Sequence, residues 1–312
     1  MAEPEINMIM LGPSRVGKSS LLATMYREVN KLQSDFEISP VGETHDRLDE
    51  AYHNLRRVID QPVFAPVEDL LKGTTDFIEH RFQVKFRQAK EFDLVFHDFR
   101  GGAMMQSGRD MEILRKKVAR SHVIFNVLDA VSLMEVDPIL SDERNGHDRV
   151  RQLLTDALKP GEKYMIVFAL VKCETYLKTA RSRTRLIDRF EERHAPVLRL
   201  IDRLVMSGTE VVGLLIPTIT LGCVEFKEID SQGNYVFERN HKDFEPRDVD
   251  QPLRYGLSFA LNHVDENRWI FEHIWRHITG TGPAFGQALR NFRKQAKKDY
   301  KVYGNEKLLE GT

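Results

Sequence analysis

A lysine and a serine follow a glycine at the end of the segment GPSRVGKS, residues 12–19. The spacing G-x-x-x-x-G-K-S stands between an apolar run and a helical pattern, LLATMYREV. Its glycines let the backbone curl around a phosphate chain, Lys18 would supply charge, and Ser19 would offer a hydroxyl to Mg²⁺. A glycine turn that opens an ordinary helix is the alternative. The predicted contact residues are Gly12, Ser14, Arg15, Val16, Gly17, Lys18, Ser19 and Ser20.

A second candidate group closes a later apolar run, where residues 98–101 have the spacing D-x-x-G. At the carboxyl end of a buried strand, Asp98 would hold Mg²⁺ through water. The amide of Gly101 would contact the terminal phosphate, so that loss of this phosphate is felt by the segment that follows. A surface aspartate with a turn glycine is the alternative reading.

A third candidate group is VKCE, residues 171–174, at the end of another apolar run. With the loop and D-x-x-G, it resembles the Ras-like and translation-factor-like P-loop GTPases, whose base-reading motif is Asn or Thr, Lys, any residue, Asp. Lys172 matches that motif, Glu174 replaces the aspartate, and Val171 replaces the polar first residue. The carboxylate would accept two hydrogen bonds from guanine, which adenine cannot supply. The resemblance favours GTP and leaves ATP open; a charged end to a buried strand is the alternative.

The same resemblance implies roles for two further segments. GTTD, residues 73–76, stands where such GTPases place the threonine of their first switch, which closes over Mg²⁺ and the terminal phosphate. Thr74 is preferred to Thr75, and a helix or strand cap is the alternative. Near PTITLG, residues 217–222, these families contact the base with backbone groups, which points to Thr220 and Leu221. Plain turn residues after a strand are the alternative there.

More narrowly, the chain resembles bacterial double-GTPase type proteins through DFRGG, VLDAVSLME and PTITLG, over about residues 5–280. One departure concerns Gly102, because Ras-like enzymes often carry a glutamine there that orients the attacking water. The resemblance then implies slow hydrolysis, completed by a partner or a second protomer. Arg100, Gln106 and Arg109 are possible substitutes, and a solvated helix start is the other reading. The catalytic candidates are Lys18, Thr74, Arg100 and Gly101.

The elements that must position these groups follow from the apolar runs. Six runs predict strands at residues 5–12, 77–86, 92–99, 121–130, 163–173 and 209–223. The run at 77–86 alternates, which predicts an edge strand, and a short linker makes it antiparallel to the next strand. The others are continuous runs, typical of parallel strands covered on both faces.

Helical patterns separate most of the strands. They cover Lys18–Leu32, Arg47–Ile59, Asp110–Arg120, Asp142–Ala157, Thr184–Met206 and Asp265–Ile278. The prediction is an α/β P-loop three-layer sandwich with a mostly parallel six-stranded sheet and one antiparallel edge strand. The domain would span residues 1–285, with a strandless helical insertion at 33–73 before the first switch. A helical extension and a basic tail, residues 286–312, would follow.

Composition limits the classes of partner. Lysine plus arginine (46) nearly balance aspartate plus glutamate (47), so no global field attracts nucleic acid or an anionic membrane. The acidic start, MAEPEIN, and its short apolar run do not suit a signal peptide or a spanning helix, which predicts a cytoplasmic protein. Cys173 and Cys223 lie in apolar runs and are predicted to be buried free thiols.

Three weaker signals each have a plainer reading. The arginines of ARSRTR, residues 180–185, would suit the lid of a nucleotide kinase, or a salt-bridged helix face. His273 and His277, with His263, suggest zinc, or structural histidines on a half-buried helix. Residues 290–301 are basic enough for an anionic partner such as nucleic acid, and a solvated terminus is favoured.

Taken together, the residues and the resemblance predict a slow, Mg²⁺-dependent GTPase that switches its surface between GTP and GDP states. Its partner would be a protein effector, an activating protein or a second copy of the chain, in a bacterial conflict or signalling setting. One alternative is a GTPase-like scaffold without meaningful turnover. The other is a P-loop nucleotide kinase or ATPase.

Overall fold

The computed structural model describes residues 5–31, 36–60, 77–87, 89–99, 108–240, 243–263, 282–297 and 299–310. The strands in these ranges are β1 (Glu5–Leu11), β2 (Phe36–Pro40), β3 (Ile78–Phe86), β4 (Ala89–Asp98), β5 (Val123–Asp129), β6 (Lys163–Val171), β7 (Glu210–Pro217), β8 (Val224–Ile229), β9 (Tyr235–Arg239) and β10 (Lys301–Gly304). The helices are α1 (Lys18–Lys31), α2 (Glu43–Asp60), α3 (Arg109–Arg120), α4 (Ala130–Glu135), α5 (Pro138–Asn145), α6 (His147–Ala157), α7 (Ala180–Met206), α8 (Gln251–His263) and α9 (Gly282–Lys294).

Eight of these strands form one sheet in the order β10-β7-β6-β5-β1-β4-β3-β2. Strand β1 pairs in parallel with β4 and β5, and β6 pairs in parallel with β5 and β7. Strands β2, β3 and β10 run antiparallel to their neighbours. The predicted α/β class and the antiparallel pairing of β3 with β4 are confirmed. Strands β5, β6 and β7 are almost wholly buried, as continuous apolar runs require.

Apolar side chains form a core on each face of the sheet. Helices α1, α8 and α9 cover one face, where Phe259 belongs to the same core as Met8 and Met10 of β1. Helices α3, α6 and α7 cover the other, where Phe190 and Ile9 belong to a second core. Consecutive residues of β1 divide between the two cores because side chains alternate along a strand. The arrangement is compatible with the predicted three-layer sandwich.

The prediction of six strands with residues 77–86 at the edge is wrong, because β2 pairs outside β3 and β10 pairs outside β7. Strand β2 also contradicts the strandless insertion predicted at 33–73, although α2 confirms that this segment contains a helix. Its sequence, FEISP, buries Phe36 and Ile38 and ends in Pro40, a residue that sheets tolerate at their edges. Five alternating residues are too few to distinguish from a loop.

The C-terminal segment packs against the rest of the fold. The boundary predicted at residue 286 falls inside α9, where Phe292 is buried, and β10 extends the sheet. The Tyr303 hydroxyl donates a hydrogen bond of 3.0 Å to Glu191, and Arg183 pairs with Asp299 at 2.9 Å. The described part of the predicted solvated tail is therefore folded, because buried aromatic residues among its lysines and arginines anchor it to the sheet.

Helix boundaries follow local capping. The helix predicted over Asp142–Ala157 is two helices, α5 and α6, separated at Gly146 with φ of 68°. Helix α7 begins at Ala180 because Thr179 and Ser182 form a capping box. The predicted helix at 265–278 lies outside the described residues. Within the ranges that the structure describes, every helix is too short or too polar to cross a membrane.

Candidate functional site

The loop between β1 and α1 lies at the carboxyl ends of the parallel strands. The next parallel strand after β1 is β4 on one side, and the one after it is β5 on the other. Open α/β sheets bind ligands where the strand order reverses in this way, because the loops that follow the two neighbouring strands diverge and leave a crevice. The loop rests on neighbouring strands: a Cβ on Gly12 would lie 2.7 Å from the Val127 oxygen, and one on Gly17 would lie 3.5 Å from Cγ2 of Val171. The GKS and VKCE segments therefore adjoin in space.

Lys18 is the first residue of α1 and is 5% exposed. Its Nζ donates hydrogen bonds to the carbonyl oxygens of Gly12 (2.9 Å) and Pro13 (3.1 Å) and lies 4.0 Å from Oδ1 of Asp98. Asp98 ends β4 and is 1% exposed. Burial lowers the pKa of Lys18, and the negative charge of Asp98 opposes that effect. A buried ammonium at a helix N-terminus is an electrostatically favourable place for an anion.

The loop backbone adopts conformations that few residues tolerate. The φ angles of Gly12, Arg15 and Gly17 are 146°, 64° and 118°. The amide of Leu21 donates to the carbonyl oxygen of Gly17 at 2.9 Å and closes the first turn of α1. The first amides of an α-helix lack a carbonyl partner within the helix, and such amides commonly bind anions. Of the other predicted contact residues, Ser14 is exposed, Val16 is buried, and Ser19 and Ser20 are half-buried.

Asp98, the carboxylate predicted for the metal side of the site, is the last residue of β4. It is in register with Met10 of β1 and with Ile78 of β3, so the sheet holds it beside the start of the loop. The next residue, Phe99, packs its ring 4.7 Å from that of Phe77. The other predicted residues of this region lie outside the described residues; they are Thr74, Thr75, Arg100, Gly101, Gly102 and Gln106.

Glu174 meets the segment that follows β7, which unites two groups predicted from separate motifs. Its Oε1 accepts hydrogen bonds from the amides of Leu221 (2.9 Å) and Gly222 (3.4 Å). Burial raises the pKa of Glu174, and the hydrogen bonds from the backbone act in the opposite direction. Thr220 is also buried here. The carboxylate is thereby anchored through one oxygen at the carboxyl end of β6.

Lys172 pairs with a residue to which the sequence assigned no role. Its Nζ donates to Oδ2 of Asp129, the last residue of β5, and lies 5.8 Å from the ring centre of Tyr235. Strands β5 and β6 are neighbours, and Asp129 is in register with Val171, directly before Lys172. The available signal was an aspartate closing a buried strand, VIFNVLD, at the sheet edge that carries the other candidate groups.

The zinc reading gains no support from the described residues. His263 lies with Nε2 2.9 Å from the carbonyl oxygen of Leu308, so it contacts the C-terminal segment. In the part of the chain that the structure describes, no group of three or more histidine, cysteine, aspartate or glutamate side chains could hold a metal ion. His273 and His277 lie outside that part.

Two other predictions concern residues near the site. Arg183, one of the arginines considered for a kinase lid, lies in the first turn of α7 and pairs with Asp299. This ion pair connects α7 to the C-terminal segment. Cys173 and Cys223 are buried free thiols, as predicted.

Comparison with protein-family models and with curated proteins finds no match to this chain. The observations that bear on its function are therefore those of the site itself. They are the glycine-flanked lysine beside a buried aspartate, and the adjoining lysine and glutamate at the end of β6.

Proposed function

We propose that this protein binds GTP together with Mg²⁺, hydrolyses it slowly and acts as a nucleotide-dependent switch for a protein partner. The observation that carries the proposal is the position of Lys18. Its buried ammonium lies at the N-terminus of α1, inside the GPSRVGKS loop and 4.0 Å from Asp98. A cation, helix-end amides and a carboxylate that meet at the carboxyl ends of parallel strands suit a nucleoside triphosphate with its metal.

Phosphate binding would use the loop and the first turn of α1. Lys18 now donates to two carbonyl oxygens of its own loop, Gly12 and Pro13. Phosphate oxygens are charged acceptors and would replace these neutral acceptors with stronger hydrogen bonds. The negative charge would also offset the desolvation that lowers the pKa of Lys18. Ligand binding is therefore expected to hold Lys18 in its charged form.

The oxygen groups at the site fit Mg²⁺. Ser19 follows Lys18 in α1, and the carboxylate of Asp98 lies 4.0 Å from the ammonium of Lys18. Mg²⁺ prefers hard oxygen ligands, keeps several waters and takes only one or two groups from the protein when phosphates supply others. When bound, it would neutralise charge on the phosphate oxygens. Ser19 and Asp98 would orient it, directly or through water.

Base recognition would use Glu174. Because Leu221 and Gly222 hold one of its carboxylate oxygens, the group has a fixed orientation at the end of β6. The ring N–H and amino group of guanine form a donor pair that a carboxylate accepts and that adenine lacks. Gly17 lies beside Val171, since a Cβ on Gly17 would be 3.5 Å from Cγ2 of Val171, and this brings the VKCE segment next to the loop. These features favour guanine over adenine.

Slow turnover and switching rest on the sequence. Gly102 has no side chain with which to orient water, so a partner or a second protomer would complete catalysis. Thr74 and Gly101 would sense the terminal phosphate, and their segments would change what the surface binds after hydrolysis. The proposal includes a cytoplasmic location for the protein. Single-turnover hydrolysis by the isolated monomer should be slow, and rapid hydrolysis would contradict the need for a partner.

The test is nucleotide binding by calorimetry with GTP, GDP and ATP in the presence of Mg²⁺, together with identification of any nucleotide released from the purified protein by heat. Lys18→Ala should lose triphosphate binding. Lys116→Ala is the matched control, because Lys116 is an exposed lysine whose one ion pair among the described residues is with Glu112, in its own helix. Binding of ATP without GTP would refute the role of Glu174. Equal GTP affinity in both variants would refute the site.

A further inference from the structure

Asp129 ends β5, and its carboxylate contacts two further elements of the fold. Its Oδ1 accepts hydrogen bonds from the amides of Val131 (2.9 Å) and Ser132 (3.1 Å) and so caps α4. Its Oδ2 accepts the ammonium of Lys172. One carboxylate therefore joins the end of β5, the start of α4 and the end of β6. Its side chain is 7% exposed, so water weakens the ion pair little.

The main chain of Asp129 is fixed as well. Asn145, at the end of α5, accepts a hydrogen bond from the Asp129 amide at 2.7 Å and donates one to its carbonyl oxygen at 3.4 Å. Asn145 is fully buried. The carboxylate therefore starts from a rigid backbone position and has little freedom to move away from Lys172.

Lys172 stands at a strained turn of the chain. Its φ of 60° lies in the left-handed region, which non-glycine residues rarely occupy unless their surroundings hold them there. Cys173, which follows, is fully buried, and Glu174 then reaches the amide of Leu221. The segment is thus held at Lys172 by an ion pair and at Glu174 by hydrogen bonds. The ion pair with Asp129 is the contact that holds the segment at Lys172.

We propose that Asp129 is a positioning residue for nucleobase recognition: it fixes Lys172, and with it the turn that presents Glu174 to guanine. The inference rests on the proposed GTP binding and adds a specificity-determining residue to it. Within the described residues, the hydrogen bonds of Asp129 go to α4, to Asn145 and to Lys172, and not to the phosphate loop. Its loss should therefore weaken binding of the base and leave binding of the phosphates unchanged.

A second aspartate in the chain provides a matched control. Asp137 caps α5 in the same way, accepting hydrogen bonds from the amides of Ile139 (2.9 Å) and Leu140 (3.1 Å). Unlike Asp129, it forms no ion pair with a lysine in the contacts that the structure describes. Asparagine is as good a helix cap as aspartate. Asp129→Asn and Asp137→Asn therefore both keep a cap, and only the first removes the charged partner of Lys172.

The experiment measures the affinities of GTP and of inorganic tripolyphosphate, each with Mg²⁺, for the full chain and its variants. Asp129→Asn should weaken GTP binding at least tenfold and change tripolyphosphate binding less than twofold. Asp137→Asn should change neither by more than twofold. Unchanged GTP affinity in Asp129→Asn, or an equal loss for both ligands, would overturn the positioning role. If the wild-type chain binds tripolyphosphate but not GTP, the proposed guanine recognition is refuted, and the positioning role of Asp129 is refuted with it.

Lys172→Met removes the other partner of the ion pair and keeps the Asp129 carboxylate as the cap of α4. It should reproduce the selective loss of GTP affinity, and the double variant should lose little more than either single variant, because both remove one interaction. This route also applies if Asp129→Asn does not fold. Full GTP affinity in Lys172→Met, or losses that multiply in the double variant, would refute the coupling.

Discussion

Replacing Gly12 by alanine should destabilise the protein more than the same change at Gly17. Both residues have φ angles that favour glycine, 146° and 118°. They differ in the space around them. A Cβ at position 12 would lie 2.7 Å from the backbone oxygen of Val127, whereas one at position 17 would lie 3.5 Å from Cγ2 of Val171, an ordinary contact. Comparison of the two variants separates backbone strain from steric overlap.

The expected magnitudes follow from these contacts. Backbone strain at such a position costs about 1–3 kcal/mol, and forcing an atom into a packed region adds about 1–3 kcal/mol. Gly12→Ala should then lose about 2–6 kcal/mol and Gly17→Ala about 1–3 kcal/mol. An unfolding entropy of about 2.1 cal/mol/K per residue converts the larger loss to roughly 3–9 °C in Tm for 312 residues.

The assay is thermal and urea unfolding of both variants without ligand. Gly161→Ala is the control, since Gly161 has φ of 82° and nothing within 4 Å of the added Cβ, so only left-handed strain of about 1–2 kcal/mol applies. A wild-type melting temperature for Gly12→Ala would refute the reasoning. So would a larger loss in Gly17→Ala than in Gly12→Ala, because steric overlap would then not govern the loop.

Acidification should lower stability, because burial lowers the pKa of His80 and of His97 to about 4, below the ordinary value of 6.5. The unfolded chain takes up these protons at higher pH than the folded chain, so the contribution of the two histidines to the free energy of unfolding is full above pH 6.5. It falls by up to about 1.4 kcal/mol per pH unit per histidine until the pH reaches about 4. A free energy of urea unfolding that is independent of pH over this range would contradict the prediction. Removal of residues 300–312 deletes β10 and exposes the edge of β7, which should lower Tm and promote self-association in size-exclusion chromatography. An unaltered, monomeric truncated chain would show that this edge needs no cover. Burial raises the pKa of the thiols of Cys173 and Cys223, so both should react with a thiol reagent only after denaturation; rapid labelling of the native chain would disprove their protection.

The central strands were predictable because their signal is local. The continuous apolar runs of β5, β6 and β7 indicate burial on both faces, and the structure buries them between two helical layers. Strands β2 and β10 were missed because each is short and polar on one side. They pair only because β3 and β7 offer unpaired edges, and an edge is a property of the assembled sheet.

The candidate site likewise contains features that the sequence predicted and one contact that it did not. The spacing of Gly12, Gly17 and Lys18 predicted a loop at a strand end, and the structure has one there. The pairing of Glu174 with the Leu221 segment agrees with two motifs placed at adjacent strand ends. The Lys172 to Asp129 ion pair was not predicted, because the two residues stand 43 positions apart and no spacing rule connects them.

The sequence by itself determined the residues of the GKS loop, the alternation of buried strands with helices, and the buried state of the two thiols. These features depend on neighbouring residues, through backbone freedom and apolar periodicity. The tertiary structure decided which carboxylate faces which lysine, Asp98 for Lys18 and Asp129 for Lys172, and which strands form the edges of the sheet. The physical reason is that strand order and register bring together side chains whose separation along the chain carries no trace of their contact.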